Sequence, residues 1–257
     1  MLVALFFVLG LLFGSFLTVV IARVPAGGSV VRPRSRCPSC GAEIRALDNI
    51  PVVSWLWLRG RCRRCGARIS AEYPLTELVT GILFAAAAAL VEPVYAAGVA
   101  APFLGVMLAI GVIDARHRVV PNRIVYPSVI LFAAAIVVGD LLGRGVDAPD
   151  AAIGLGLYAV PLFLVAVVVP HGMGMGDVKL AGLIGLVLGS VGLSYVGVAA
   201  GVGVIGGGIG ALIALAILGA GRKDQIPFGP FLAGGAMVAT LAGPWIADAY
   251  LSLLGPR

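Results

Sequence analysis

Charge is scarce in this sequence: 12% of its 257 residues are Asp, Glu, Lys or Arg, about half the ~25% usual in soluble domains. Hydrophobic residues make up 60% and the mean hydropathy is +1.08. So little polar surface cannot cover a globular core, which excludes a water-soluble globule. Cysteine is confined as well: the chain has four, all between Arg23 and Pro74. No basic residue precedes the first apolar run and no small-x-small site follows it, so the two marks of a cleaved signal peptide are missing. The first run is expected to stay in the mature protein.

What the chain does have is apolar runs of the length that crosses a bilayer, about 20 mostly apolar residues. They lie near 1–22, 75–92, 96–114, 123–143, 151–170, 178–192, 194–218 and 228–254. The expected fold is an all-α multi-pass membrane protein with about eight spans. The expected organisation is a first transmembrane helix at 1–22, a polar, basic insert at 23–74 and a seven-helix membrane core at 75–257.

Lys and Arg in short loops favour the cytoplasmic side. Ten of the eighteen basic residues fall in the insert. With that loop cytoplasmic and each span crossing once, Arg116, Arg118, Arg123, Lys179, Arg222 and Lys223 are cytoplasmic too, and only Arg144 and Arg257 fall outside. Both chain ends are then extracytoplasmic. The net charge of +6 needs no nucleic acid; a basic face on anionic headgroups, worth ~1 kcal/mol per residue, accounts for it. The lipid bilayer is the expected partner.

An ionisable group at membrane depth is costly and marks a functional site by default. Asp114 ends the third run, in Gly-Val-Ile-Asp-Ala-Arg-His, and Asp177 opens the sixth, in Gly-Met-Gly-Met-Gly-Asp-Val-Lys. Both are expected at the cytoplasmic boundary. Two carboxylates that converge where water is sparse cannot easily both ionise, so one keeps a proton while the other serves as a base. That supplies acid and base for peptide hydrolysis without a cofactor. Gly172, Gly174 and Gly176 allow close backbone approach beside Asp177, and Lys179 belongs to the same loop. The alternative is a helix N-cap or a surface ion pair with Lys179 or Arg116. Asp140, Asp147, Asp150 and Asp248 fall on the opposite face and read as solvated loop residues. A proton-coupled transporter would instead place carboxylates near mid-membrane in repeated halves. A non-enzymatic scaffold would tolerate loss of both aspartates.

Cys37-Pro-Ser-Cys40 and Cys62-Arg-Arg-Cys65 stand twenty-one residues apart, one beyond the usual range for paired zinc-binding Cys-x-x-Cys sites. Four thiolates would close a structural zinc shell and fold an insert with little apolar content. Two disulfides or a redox pair are the alternatives, and cytoplasmic placement disfavours disulfides.

The sequence resembles the type IV prepilin peptidases over nearly its full length. The resemblance rests on Gly14-Ser15-Phe16, Asp48-Asn49-Ile50-Pro51-Val52, Ser54-Trp55, Tyr73-Pro74 and Glu77. It continues through Asp114 with Pro121, Gly174-Met175-Gly176-Asp177-Val178-Lys179-Leu180 and Pro227-Phe228-Gly229-Pro230. Thr18 stands where the family usually has Asn, and Glu72 where a basic residue is common. The resemblance implies a GxGD-type aspartyl endopeptidase of the bacterial inner membrane, with Asp114 and Asp177 as the catalytic pair and prepilins or pseudopilins as substrates. Family members with the cysteine-bearing loop also methylate the new amine, which implies S-adenosylmethionine as methyl donor. Gly60, Arg61 and Glu77 are candidates for that second site. Their alternative readings are a turn glycine, a lipid-facing cation and a helix-start acid.

Gly201-x-Gly203-x-x-Gly206 has no strand before it and reads as helix packing, as does Gly10-x-x-x-Gly14. His117 and His171 read as exposed loop histidines, and Phe16, Trp55 and Trp57 as interface anchors or packing.

Overall fold

The computed structural model describes residues 1–168, 173–217 and 227–253. Arg222, Lys223, Arg257, His171 and Gly172 lie outside them. In hydrocarbon the backbone has no hydrogen-bond partner but itself, so apolar runs become helices. These are α1 (Leu2–Arg23), α2 (Val53–Trp57), α3 (Glu72–Leu90), α4 (Val94–His117), α5 (Asn122–Leu141), α6 (Ala148–Val168), α7 (Met175–Gly189), α8 (Leu193–Ile217) and α9 (Gly229–Leu253). Among the described residues there is no named strand, only two isolated bridges, Arg36 with Glu43 and Arg61 with Arg68.

All but α2 stand where the eight spans are expected, and seven are long and apolar enough to cross a membrane. The exception is α7, whose 15 residues reach only ~22 Å, short of a ~30 Å hydrocarbon core. It packs against α4, α5, α6, α8 and α9, and Val178 and every residue from Leu180 to Gly189 are buried. Protein, not lipid, therefore surrounds it, and its ends need not reach the headgroups.

At the centre, α4 packs on α3, α9, α1 and α5. Its Phe103, Met107 and Ile110 join Phe132 and Ile136 of α5, Tyr158 of α6, Leu183 and Ile184 of α7, and Leu232 of α9 in the main core. The outer surface is apolar as well: Leu5, Leu12, Ile130, Leu131, Leu157 and Leu164 are exposed, as lipid-facing residues must be.

Small residues set the closest approaches. A Cβ at Gly10 of α1 would lie 2.8 Å from the Gly81 Cα of α3, and one at Gly189 of α7 would lie 2.6 Å from the Asp150 carbonyl of α6. In α8, Gly203 faces Phe231 of α9 while Gly201 meets nothing. Gly206 meets the Phe231 ring too, so the Gly201-x-Gly203-x-x-Gly206 run packs at two of its three positions.

Candidate active site

Asp114 lies in the last turn of α4. The helix ends at His117 because Arg118 takes the left-handed conformation (φ 55°) and its N–H returns to the Asp114 carbonyl at 2.8 Å. The Asp114 side chain is only 4% exposed, and its Oδ2 accepts the N–H of Gly229 at 3.0 Å. Gly229 is the first residue of α9, so a free helix-start N–H fixes the carboxyl. A Cβ there would stand 2.6 Å from that oxygen, which only glycine avoids.

Asp177 occupies the first turn of α7 behind the N-cap Gly174, its N–H donating to the Gly174 carbonyl at 3.0 Å. It is half-buried. The two carboxyls come within electrostatic range of each other, although 62 residues lie between them in the sequence. The end of α4, the start of α7 and the start of α9 thus meet at one end of the bundle. Arg116 pairs with Glu72 of α3 at 3.2 Å, and Arg123 of α5 donates to the Gly27 carbonyl at 2.8 Å. Those contacts bring the ends of α1, α3 and α5 to the same side. Asp147 is at the other end, where its Oδ1 accepts the Asp150 N–H at 2.7 Å and caps α6.

The loop residues divide. Gly174 lies against the Asp177 carboxyl, a Cβ there meeting Oδ2 at 3.3 Å, while a Cβ at Gly176 would meet Val120 at 3.0 Å. Close approach here serves the protein's own side chains. Lys179 turns toward α5, donating to Asn122 Oδ1 at 3.2 Å and standing 5.3 Å over the Tyr126 ring. Its ammonium latches α7 to α5. His117 is exposed at the end of α4.

In the insert, two matching knuckles present the cysteines. Cys37 N–H donates to the Ala42 carbonyl and Gly41 N–H to the Cys37 carbonyl, both at 2.9 Å; Cys62, Ala67 and Gly66 repeat this at 2.8 and 2.9 Å. Gly41 and Gly66 turn at φ 69° and 70°, a region that favours glycine. The four Sγ atoms lie within 4.8 Å of one another, and Cys37 and Cys65 are 3.8 Å apart. Tetrahedral Zn–S bonds of about 2.3 Å require S···S of about 3.8 Å, so the donor set fits zinc. The N–H groups of Cys40 and Ser39, more than any other cause, hold the Cys37 thiol down to about 6. Cys65, despite the Ala67 N–H, is pushed up to about 11, chiefly by the neighbouring Cys40 thiol. Crowded thiols of this kind ionise together only around a cation.

Of the three candidates for a second site, Gly60 and Arg61 follow α2 and Glu77 lies in α3. Gly60, at φ 65°, is a turn glycine under the Trp55 ring, where a Cβ would meet Cζ2 at 2.8 Å. Arg61 is exposed in the bridge to Arg68. Glu77 is 8% exposed, and Oε2 accepts the Val52 N–H at 2.7 Å, so it is not a solvent-facing helix-start acid. Gly229 and Val52, which orient the two buried acids, stand in two of the motifs that carry the resemblance, Pro227-Phe228-Gly229-Pro230 and Asp48-Asn49-Ile50-Pro51-Val52, but nothing local marks either as the partner of an acid.

A model described as the type IV leader peptidase family matches residues 101–220. One described as the bacterial peptidase A24 N-terminal domain matches residues 8–91. A prepilin leader peptidase/N-methyltransferase of Bacillus subtilis is 34% identical over 253 residues, 97% of this chain and 98% of that protein. Another so named, from Aeromonas hydrophila, is 34% identical over 281 residues, 97% of this chain and 93% of its own. A third, from Myxococcus xanthus, is 48% identical over 124 residues, 48% of this chain and 37% of that protein. No solved structure matches.

Proposed function

The chain belongs to the type IV leader peptidase family, and on that premise we propose that it cleaves the basic leader from prepilins or pseudopilins and methylates the amine so exposed. Asp114 and Asp177 carry out the cleavage, at the cytoplasmic face of a bacterial inner membrane. One observation supports this assignment above others: two carboxyls from helices distant in sequence come within electrostatic range of each other at one end of a largely apolar bundle. The basic insert lies at that end too, as the positive-inside rule asks of a cytoplasmic face.

In the hydrolytic step one carboxylate takes a proton from water as the water oxygen attacks the scissile carbonyl carbon. The other carboxyl gives its proton to the carbonyl oxygen, leaving a tetrahedral diol. On collapse the C–N bond breaks, the first carboxyl returns its proton to the departing nitrogen, and a diol hydroxyl reprotonates the second. The pair ends with the single proton it began with. The Gly229 N–H keeps the Asp114 carboxyl in place throughout.

Cys37, Cys40, Cys62 and Cys65 would hold a zinc ion whose work is to fold the insert, since protein fills all four positions. S-adenosylmethionine would supply an electrophilic methyl group to the free amine. Gly60, Arg61 and Glu77 are given no step in that transfer.

The test incubates the detergent-solubilised protein with a prepilin and reads the new N-terminus by mass spectrometry. Loss of the leader, with one added methyl on the mature chain, is the expected result. An intact prepilin sinks the peptidase reading. A cut but unmethylated chain leaves a peptidase alone.

A further inference from the structure

Between the two cysteine knuckles, the 3-10 turn Ala46–Asn49 and helix α2 are patterned inside out. Pro51, Ser54 and Gly60 are buried toward the insert. The Ser54 hydroxyl lies 2.7 Å from the Ile50 carbonyl and 3.1 Å from that of Leu47, and Trp55 Nε1 donates to the Ile69 carbonyl at 3.2 Å. Leu47, Ile50, Val53, Leu56 and Trp57 point outward and are 77, 45, 56, 62 and 79% exposed. The first four recur every three residues and make one ridge. A domain surrounded by water does the reverse, and a contiguous exposed apolar ridge marks a binding surface.

The depth of the ridge identifies what covers it. The Val52 N–H, one residue before α2, donates to Glu77 Oε2 at 2.7 Å. Glu77 is the sixth residue of α3, about 7.5 Å along that helix from its start. Since α3 crosses the membrane, α2 is tied at the level where its first turns enter the bilayer. Arg45, Arg59 and Arg61 are exposed around the ridge, and none is ion-paired among the described residues. The acids between residues 23 and 74, Glu43, Asp48 and Glu72, are already paired with Arg36, Arg63 and Arg116.

We propose that this ridge is an interfacial membrane element. Leu47, Ile50, Val53, Leu56 and Trp57 are immersed roughly 5–10 Å into the boundary between headgroups and acyl chains. Arg45, Arg59 and Arg61 lie on anionic phospholipid headgroups, their stems along the apolar surface. The insert is thereby held flat on the bilayer, at the same end of the bundle as Asp114 and Asp177. The proposal rests on α3 being a membrane span and is independent of any assignment to the aspartates.

The experiment reconstitutes the full chain in vesicles and compares its tryptophan emission with that of Trp57→Phe, so that the difference isolates Trp57 from Trp55 and Trp245. That difference should be blue-shifted, insensitive to acrylamide, and quenched more by phospholipids brominated near the headgroup than by those brominated near the chain end. Acrylamide quenching without bromolipid quenching overturns the proposal. Shielding that appears only after a prepilin is added, or only at high protein density, overturns it in favour of a substrate helix or a second copy. Arg59→Gln with Arg61→Gln should abolish the extra bromolipid quenching seen in anionic over zwitterionic vesicles. Equal quenching in the parent in both kinds of vesicle removes the headgroup contacts from the proposal.

Discussion

Asp114 and Glu77 are buried carboxyls at the same end of the bundle, and their settings are near copies. Each accepts one N–H from backbone at the beginning of a helix, Gly229 for α9 and Val52 for α2. Each is pressed by a glycine, Gly229 against the Asp114 carboxyl and Gly14 of α1 against the Glu77 backbone, where a Cβ would stand 2.7 Å from Cα. The difference is the neighbour. Asp114 has Asp177 in electrostatic range and half-buried, whereas Glu77 has the Val52 N–H. Burial alone makes an anchor. A second carboxyl makes a pair that can hold one proton and pass it in both directions.

The largest expected effect tests that contrast directly. Asp114→Asn and Asp177→Asn should each lower the rate of leader cleavage by at least about 100-fold, while Glu77→Gln leaves it near the parent's. A gel assay of prepilin processing at matched membrane levels reads both, and a fast Asp177→Asn enzyme breaks the comparison.

Next comes the metal. Cys65→Ser, or prolonged chelation, should remove close to one zinc per chain by elemental analysis and loosen the insert to limited proteolysis. The bundle's helical circular dichroism should persist, because apolar packing holds it independently. Zinc in less than stoichiometric amount in the parent would remove the metal from the account.

Smaller effects test the two hydrogen-bonded acids. Gly229→Ala forces a methyl against Asp114 and should cost about 1–3 kcal/mol, the usual range for overpacking, with a matching fall in thermal stability and in cleavage. Gly201→Ala, which meets nothing, is the control. Glu77→Ala strands the Val52 N–H and should cost about 1–3 kcal/mol, whereas Glu77→Gln, which still accepts, should cost less. Equal losses for Ala and Gln would mean that the carboxylate charge, not the accepted hydrogen bond, anchors α2.

The smallest effect lies in the insert. Hydrogen bonds from Arg63, reinforced by its charge, hold the Asp48 carboxyl below its usual range. The contribution of the pair is therefore present above the ordinary carboxylate pKa and fades as pH falls through the lowered value. Asp48→Asn should flatten that acid limb in a proteolysis assay of the insert.

Much of this could be read from residues in order. Apolar runs of bilayer length can only become helices, so the spans and the placement of Asp114 and Asp177 at one end follow from counting crossings. Repeated Cys-x-x-Cys spacing likewise gathers thiols, because each pair lies on one tight turn. What could not be read depends on partners distant in sequence. Lys179 stands two residues from Asp177, yet its ammonium lies on Asn122 and Tyr126, because the packing of α5 on α7 decides which way it turns. That the Trp55 ring lies over Gly60 likewise depends on how the chain turns after α2. Glu77 reads as a helix-start acid until the insert folds back onto it.

Sequence by itself therefore determined the membrane class, the helix positions, the end that carries the acids and the family, all of which depend on composition, spacing or local order. Tertiary structure alone decided that α7 is sheathed in protein, that Gly229 orients Asp114 and that Val52 ties the insert to α3. Each of those is a contact between segments whose meeting depends on the packing of whole helices, and no local pattern of residues encodes it.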